Sequence, residues 1–258
     1  MAEPVPGWDR ELAAAVAASR EAARIATAMQ AGIAAEAKAD GSPVTAADKE
    51  CERVIAALLT EAFPDDGLFG EEGARRDSRS GRRWIVDPID GTRDYVRGNQ
   101  FWANLIALEA GDEVVCGLVH LPRLSLLYTA TRGGGAYRNG ERIQPSQRTD
   151  PSDSVFCMDG LNRSPRMPFR DRLLDCMSRF WAVRSFGGAL DAMFVASGQA
   201  EVWIEASAQP WDFAPLKIIA EEAGARFFNF DGGSSIYAGN GVVCAPGLVS
   251  SVTELLNG

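Results

Sequence analysis

The sequence predicts a mixed α/β (α+β) fold, built as one compact body in two halves, residues 1–150 and 151–258. Three observations carry this. Two helical stretches open the chain, a β-rich section follows from Trp84, and after about residue 150 strands and helices alternate as in an α/β layered half. The 258 residues provide ample core for such a body, and its site is expected between the halves.

Residues 9–35 are alanine-rich, with Leu12, Val16, Ile25, Met29 and Ile33 on a rough helical stripe. Lys38–Pro43 reads as a loop. A second helix follows, with Val54, Ile55, Leu58 and Leu59 as its apolar face, and ends before Pro64. Residues 73–83 read as a polar, arginine-rich loop. Trp84–Val86, Trp102–Leu108, Val114–Leu121 and Leu126–Ala130 read as strands, with tight turns at Gly111-Asp112 and Asn139-Gly140. In the second half, Val155–Met158, Ala182–Phe186, Val202–Glu205, Arg226–Phe230 and Val242–Ala245 read as strands. Phe169–Phe180, Leu190–Ala196, Asp212–Ala223 and Leu248–Leu256 read as helices.

Composition excludes several function classes. The net charge of −9 argues against a nucleic-acid surface, which needs a basic patch. No stretch approaches the roughly eighteen apolar residues of a membrane span. Glu3, Asp9, Arg10 and Glu11 precede any apolar run, unlike a secretory signal. Five scattered cysteines without a CxxC pair suggest reduced, buried thiols in a cytoplasm. His120 is the only histidine, which speaks against phosphohistidine chemistry and histidine-rich metal sites; it reads as structural.

The most informative stretch is Trp84-Ile85-Val86-Asp87-Pro88-Ile89-Asp90-Gly91-Thr92. An apolar strand ends in two carboxylates, with Pro88 and Gly91 turning the chain. Like charges held together repel, and a hard cation relieves them. Asp87 and Asp90, with the carbonyl of Ile89 between them, read as a magnesium cradle, against the alternative of a plain turn. Glu71 and Glu72 lie between Gly70 and Gly73, either a solvated acidic loop or a close approach to a ligand. Asp212 fits a helix N-cap, with Pro215 in the first turn, or else a further metal ligand. Thr45 and Asp48 read as a variant capping box, or as groups near an attacking water. Cys157 and Arg163 have the Cys-x5-Arg spacing of cysteine phosphatases, but with one intervening glycine and nothing to lower the thiol pKa.

These pieces together resemble the inositol monophosphatase family over nearly the whole chain. They occur in family order: Asp40-Gly41-Ser42-Pro43-Val44-Thr45-Ala46-Ala47-Asp48, Gly70-Glu71-Glu72, Asp87-Pro88-Ile89-Asp90-Gly91-Thr92 and Trp211-Asp212, with Val195–Gly198 and Glu221–Gly224 beyond. The resemblance implies a layered αβαβα sandwich, usually dimeric, and Mg²⁺-dependent hydrolysis of a small phosphate monoester, commonly lithium-sensitive. Two or three Mg²⁺ ions are implied at Glu71, Asp87, the Ile89 carbonyl, Asp90 and Asp212. Glu71 and Thr92 are implied to orient the attacking water, with Asp48 and Thr45 assisting, and Gly91 and Thr92 to bind phosphate. Substrate contacts are implied at Glu205 and along Arg184-Ser185-Phe186-Gly187-Gly188-Ala189, a loop one residue shorter than in inositol phosphatases. Tyr95–Gly98 and Phe101–Leu108 look like the histidinol-phosphatase branch. Gly188, however, stands where that branch often carries an ammonium-binding aspartate, which leaves Glu205 or Asp191 for that role. The rival readings are a haloacid-dehalogenase-type phosphatase, whose two aspartates are spaced by two residues rather than three, and a non-catalytic metal- or phosphate-binding regulator.

Overall fold

The computed structural model describes residues 7–39 and 41–257; Glu3 and Asp40, both used in the sequence reading, lie outside the described residues. In chain order the elements are α1 (Asp9–Met29), β1 (Ala35–Ala37), β2 (Pro43–Thr45), α2 (Ala46–Ala62), β3 (Gly67–Gly70), β4 (Arg75–Arg76), β5 (Arg82–Asp90) and α3 (Thr92–Val96). Next come β6 (Ala103–Ala110), β7 (Glu113–Leu121), β8 (Leu126–Thr131), β9 (Gly135–Arg138), β10 (Glu141–Arg142) and β11 (Val155–Met158). The chain closes with α4 (Arg170–Ser178), β12 (Ala182–Arg184), α5 (Gly188–Ala196), β13 (Val202–Glu205), α6 (Pro210–Ala223), β14 (Arg226–Phe228), β15 (Gly241–Cys244) and α7 (Val249–Asn257).

Five layers result. An eight-stranded sheet runs β10-β9-β8-β7-β6-β5-β3-β4, and a five-stranded sheet runs β12-β11-β13-β15-β14. Trp84, Val86, Ile106, Leu108, Cys116 and Leu118 turn one face of the large sheet onto α1 and α2. Their strand neighbours Ile85, Leu105, Ala107 and Val119 turn the other face onto α5 and α6. The strands read as unbroken apolar runs because both faces are covered. α5 and α6 pack in turn on Trp203, Phe227 and Val243 of the small sheet, whose far face meets Leu173 and Cys176 of α4 and Val252 and Leu255 of α7. This is the αβαβα sandwich.

Several sequence expectations are corrected. The first helix stops at Met29, and its buried face is Ala15, Ala18, Ser19, Ala22, Ala23 and Ala26 rather than the larger apolar residues, which flank it. Small side chains allow α1 to lie close on its neighbours. Residues 35–45 form a β1–β2 hairpin, so Lys38–Pro43 is its turn. Leu58 is exposed; the buried face of α2 includes Asp48, Cys51, Glu52, Ile55 and Leu59. β3 and β4 were unforeseen, and β4 together with the start of β5 falls within the expected loop 73–83. Both β3 and β4 are short, and the arginines of β4 occupy a sheet edge where charge is tolerated. Pro215 sits in the sixth position of α6, past the first turn, on a helix buried nearly all round between the two sheets. All five cysteines are free and buried, and no described helix is long and apolar enough to cross a membrane.

Ile106 is fully buried in the central strand β6. Ile106→Ala should cost roughly 2–5 kcal/mol, because the surrounding layers cannot close over the void. Urea unfolding checks this, and a loss below about 1 kcal/mol would mean that this face is loosely packed.

Candidate active site

The two aspartates of β5 are brought to one side by a bulge. In a regular strand, residues three apart point to opposite faces. Here Asp87 pairs with Leu105 and Asp90 with Ala103, so one extra residue is accommodated between them and restores a common face. The strand thus continues through Pro88, correcting the expectation that it turns there; the proline ring needs no ladder partner at a bulge. Asn104 Nδ2 donates to the Pro88 carbonyl at 2.5 Å, and the Ile89 amide donates to Asp87 Oδ1 at 2.9 Å. The turn falls at Gly91, whose φ of +83° and whose approach to the Phe101 carbonyl exclude a side chain; a Cβ would stand 2.8 Å from that oxygen. Thr92 then opens α3.

Glu71 arrives by register. β3 and β5 are parallel, Gly70 pairs with Val86, and the Glu71 amide donates to the Val86 carbonyl at 3.0 Å, which sets Glu71 beside Asp87. Glu52 of α2 accepts the amides of Glu72 and Ala74, each at 2.7 Å, and fixes this loop from below. Gly70 makes room for it, since a Cβ there would lie 2.3 Å from Glu52 Oε2. From the β1–β2 hairpin, Lys38 Nζ reaches Glu71 at 2.8 Å and Glu72 at 2.6 Å. Burial would lower the Lys38 pKa, but the two carboxylates outweigh it and raise it. Glu72 is pushed up to about 7, mainly by burial.

Asp212 comes from the second half. It is not the N-cap of α6: Gln209 holds that place, and Asp212, third in the helix, accepts the Gln209 amide at 2.6 Å. Asp87, Asp90 and Asp212 each offer an oxygen within 4.8 Å of the others. Burial, then Glu71, Asp212 and Asp90, raise Asp87 well above the carboxylate range. Burial, then Asp212 and Asp159, do the same to Asp90. Asp212 is pushed up to about 7, first by burial. An all-oxygen cluster that resists full ionisation fits a hard divalent cation.

Thr45 and Asp48 form the expected capping box, with Asp48 Oδ2 accepting the Thr45 amide at 2.8 Å and its hydroxyl at 2.5 Å. Both are buried behind the site. They meet it through Thr92, whose hydroxyl lies 3.3 Å from Asp48 Oδ1 and 3.2 Å from the Ile89 carbonyl. A cavity of about 650 Å³ opens in front, lined by Glu71, Asp87, Ile89, Asp90, Gly91, Thr92 and Asp212.

The opposite wall holds Gly187, Gly188, Ala189 and Glu205. The Ala189 amide donates to Asp90 Oδ2 at 3.2 Å, tying α5 to the bulge. Asp191 does not line the cavity. It is fully buried and accepts the Phe186 and Gly187 amides at 3.0 and 3.3 Å, holding the loop from within. Arg184 is exposed at the end of β12, away from the cavity lining. His120 is structural as expected, with Nδ1 2.7 Å from Ser19 Oγ. Cys157 is buried, and burial pushes its thiol well up, as a structural cysteine requires.

A sequence model of the inositol monophosphatase family matches residues 8–257. The chain belongs to that family. It is similar to a histidinol-phosphatase of Chlorobaculum parvum (39% identical, covering 81% of this chain and 80% of that one). It is also similar to an inositol-1-monophosphatase of Mesorhizobium japonicum (37% identical, covering 80% and 81%). Among solved structures, the extragenic suppressor protein suhB of Bartonella henselae superposes with a TM-score of 0.88 at 28% identity, over 96% of this chain and 98% of that one. The protein is an inositol monophosphatase family phosphatase, and with that the haloacid-dehalogenase reading falls.

Sequence reasoning missed other groups of this inositol monophosphatase family site. Glu52 carried a signal: it stands four residues after Asp48 on the buried stripe of α2, where an acid is costly unless bonded. Asp159 and Arg163 line the cavity, although the only signal their stretch carries in the sequence is a Cys-x5-Arg spacing that does not fit a cysteine phosphatase. Asp159 follows a strand in a parallel pair, where open α/β sheets present ligand groups. Lys38 carried no signal, because nothing in the sequence shows where a hairpin turn will reach.

The raised carboxylates set a pH dependence. Their folded-state pKa values lie above the unfolded ones. The associated stability is therefore present below the ordinary carboxylate range and is lost as pH rises through about 7, where Asp212 ionises. Mg²⁺ should offset this loss. The rise in Tm on adding saturating Mg²⁺ is expected to be larger at pH 8 than at pH 5 by differential scanning fluorimetry, and equal increments would contradict a proton–cation competition. Separately, Glu52→Gln keeps one acceptor for two amides and should slow phosphate release about tenfold, a loss of about 1.4 kcal/mol. An undiminished rate would mean that the Glu71 loop holds without it.

Proposed function

We propose that this phosphatase hydrolyses a small phosphate monoester with Mg²⁺, using a water aimed and deprotonated by its own carboxylates. The observation that carries the reading is the meeting of Asp87, Asp90 and Asp212, from both halves of the chain, within 4.8 Å at the floor of an open cavity beside Glu71. Two or three Mg²⁺ ions held by Glu71, Asp87, the Ile89 carbonyl, Asp90 and Asp212 would neutralise phosphate charge and make the attacking water more acidic.

The chain's own groups supply the rest. Glu71 accepts the proton of the attacking water. Thr92, placed by Asp48 and the Ile89 carbonyl, orients that water through its hydroxyl, and Thr45 fixes Asp48. The amides of Gly91 and Thr92 take phosphate oxygens. Gly187, Gly188, Ala189 and Glu205 face the alcohol of the ester, with Asp191 positioning their loop. Similar identities to a histidinol-phosphatase and an inositol-1-monophosphatase support an amino-alcohol or polyol ester as substrate. Exposed Leu174 and Trp181, on α4 and just after it, offer apolar surface to a second copy in a homodimer. Free thiols suit a cytoplasmic setting.

Phosphate release from L-histidinol phosphate and from inositol 1-phosphate, with Mg²⁺ and with EDTA, tests the reading. At least one ester should be hydrolysed only with Mg²⁺. Glu71→Gln should lose roughly a hundredfold or more in turnover, as removal of a general base does, with little change in Tm. An active Glu71→Gln protein would remove that role. Metal binding without turnover on a broad ester panel would favour a regulator instead.

A further inference from the structure

We propose that Asn104 is a positioning residue for the metal cradle, acting on Asp87 through one rigid peptide. The inference rests on the metal-dependent reading above and adds a residue to it. Asp87 pairs with Leu105 and Asp90 with Ala103, so Asn104 is the single residue of β6 set against Pro88 and Ile89 at the bulge. Pro88 and Ile89 share a trans, planar peptide that is held at both ends. Its carbonyl, on Pro88, accepts from Asn104 Nδ2 at 2.5 Å, and its N–H, on Ile89, donates to Asp87 Oδ1 at 2.9 Å. The carbonyl and the N–H of a planar trans peptide point in opposite directions, so fixing the first on Asn104 aims the second at the carboxylate. A peptide turned over would lose both bonds and set the Pro88 carbonyl oxygen against Asp87, one acceptor facing another.

The surroundings of Asn104 argue for this role over a merely structural one. The side chain is fully buried, and Trp102 and Ile106, two residues to either side, belong to the apolar layer beneath α1 and α2. A carboxamide in such a layer is costly unless both of its ends are bonded. Here Oδ1 has no partner among the described residues, and the end in use is the donor on the Pro88 carbonyl. An aliphatic side chain would suit the layer better, so packing does not account for an asparagine, whereas the orientation of the 88–89 peptide does. The next carbonyl along the chain is that of Ile89, which the Thr92 hydroxyl meets at 3.2 Å. It sits on the same residue as the held N–H, so a disturbed peptide displaces two oxygens of the cradle, one on Asp87 and one on Ile89.

The test measures Mg²⁺ binding by calorimetry, without substrate, in wild type, Asn104→Leu and Ile106→Ala, and follows hydrogen exchange at the Ile89 amide by NMR in EDTA. Leucine has nearly the shape of asparagine and no donor. Asn104→Leu should keep a Tm in EDTA close to that of wild type, because it removes an unmet acceptor along with the bond. It should bind Mg²⁺ about tenfold more weakly, as loss of a group behind a metal ligand does, and exchange faster at Ile89. Ile106→Ala, in the same strand and more destabilising, should bind Mg²⁺ as wild type does. Unchanged Mg²⁺ affinity in Asn104→Leu would overturn the proposal. So would equal weakening in Ile106→Ala, which would make the effect one of stability alone. Should leucine overpack the site, Asn104→Val, shorter and suited to a central strand, carries the same test. No Mg²⁺ uptake by wild type would overturn the metal reading instead; faster exchange at Ile89 in Asn104→Leu would then still support the hold on Asp87, and unchanged exchange would overturn that as well.

Discussion

A single extra residue in β5 governs this molecule. Side chains alternate along a strand, so Asp87 and Asp90 would face opposite layers if the ladder were regular. The bulge changes the parity and points both into the same cavity. It survives because its irregular backbone is bonded from two sides, by Asn104 to the Pro88 carbonyl and by Asp87 itself to the Ile89 amide. The strand is otherwise apolar on both faces and buried between α1/α2 and α5/α6, so the sheet cannot slip to relieve the crowding of the two acids.

The crowding is made tolerable by a shared arrangement. Each cradle aspartate ties one oxygen to a backbone amide: Asp87 to Ile89, Asp90 to Ala189 and Asp212 to Gln209. One amide bond per carboxylate lowers the cost of burying it and fixes its rotamer. Two of these amides belong to α5 and to the start of α6, in the layer between the sheets. The bond from Ala189 to Asp90 also joins α5 to β5, so site geometry is coupled there to the packing of the sandwich.

The sequence made the cradle legible because its chemistry is local: Asp-Pro-Ile-Asp-Gly-Thr lies on one short stretch, and Glu71 and Asp212 each carry a recognisable neighbour. The central strands were legible from their apolar runs. The buried face of α1 was misread because alanine carries a weak hydrophobic signal, and close helix packing selects it for size instead. β3 and β4 were missed because two to four residues beside an arginine-rich segment show no periodicity. The far wall of the cavity was only half visible. Glu205 is reached through the family resemblance, but its adjacency to Asp159 depends on pairing between strands separated by more than forty residues, which no local pattern records.

That adjacency has a counterpart in the large sheet. β3 and β5 are parallel, and the residues just past their last pair are Glu71 and Asp87; β11 and β13 are parallel, and the residues at the corresponding ends are Asp159 and Glu205. Parallel strands in register put equivalent residues on the same side, so each sheet delivers two acids next to each other at its edge of the cavity. What differs is the cation supplied. Lys38 bridges Glu71 and Glu72 from a hairpin outside the sheet, while Arg163 meets Glu205 from the segment after β11. On the proposed reading, Lys38 and a metal ion would draw on the same Glu71 carboxylate, which would link the position of the hairpin to the loading of the cradle. The two acid pairs thus face one cavity from the ends of two different sheets.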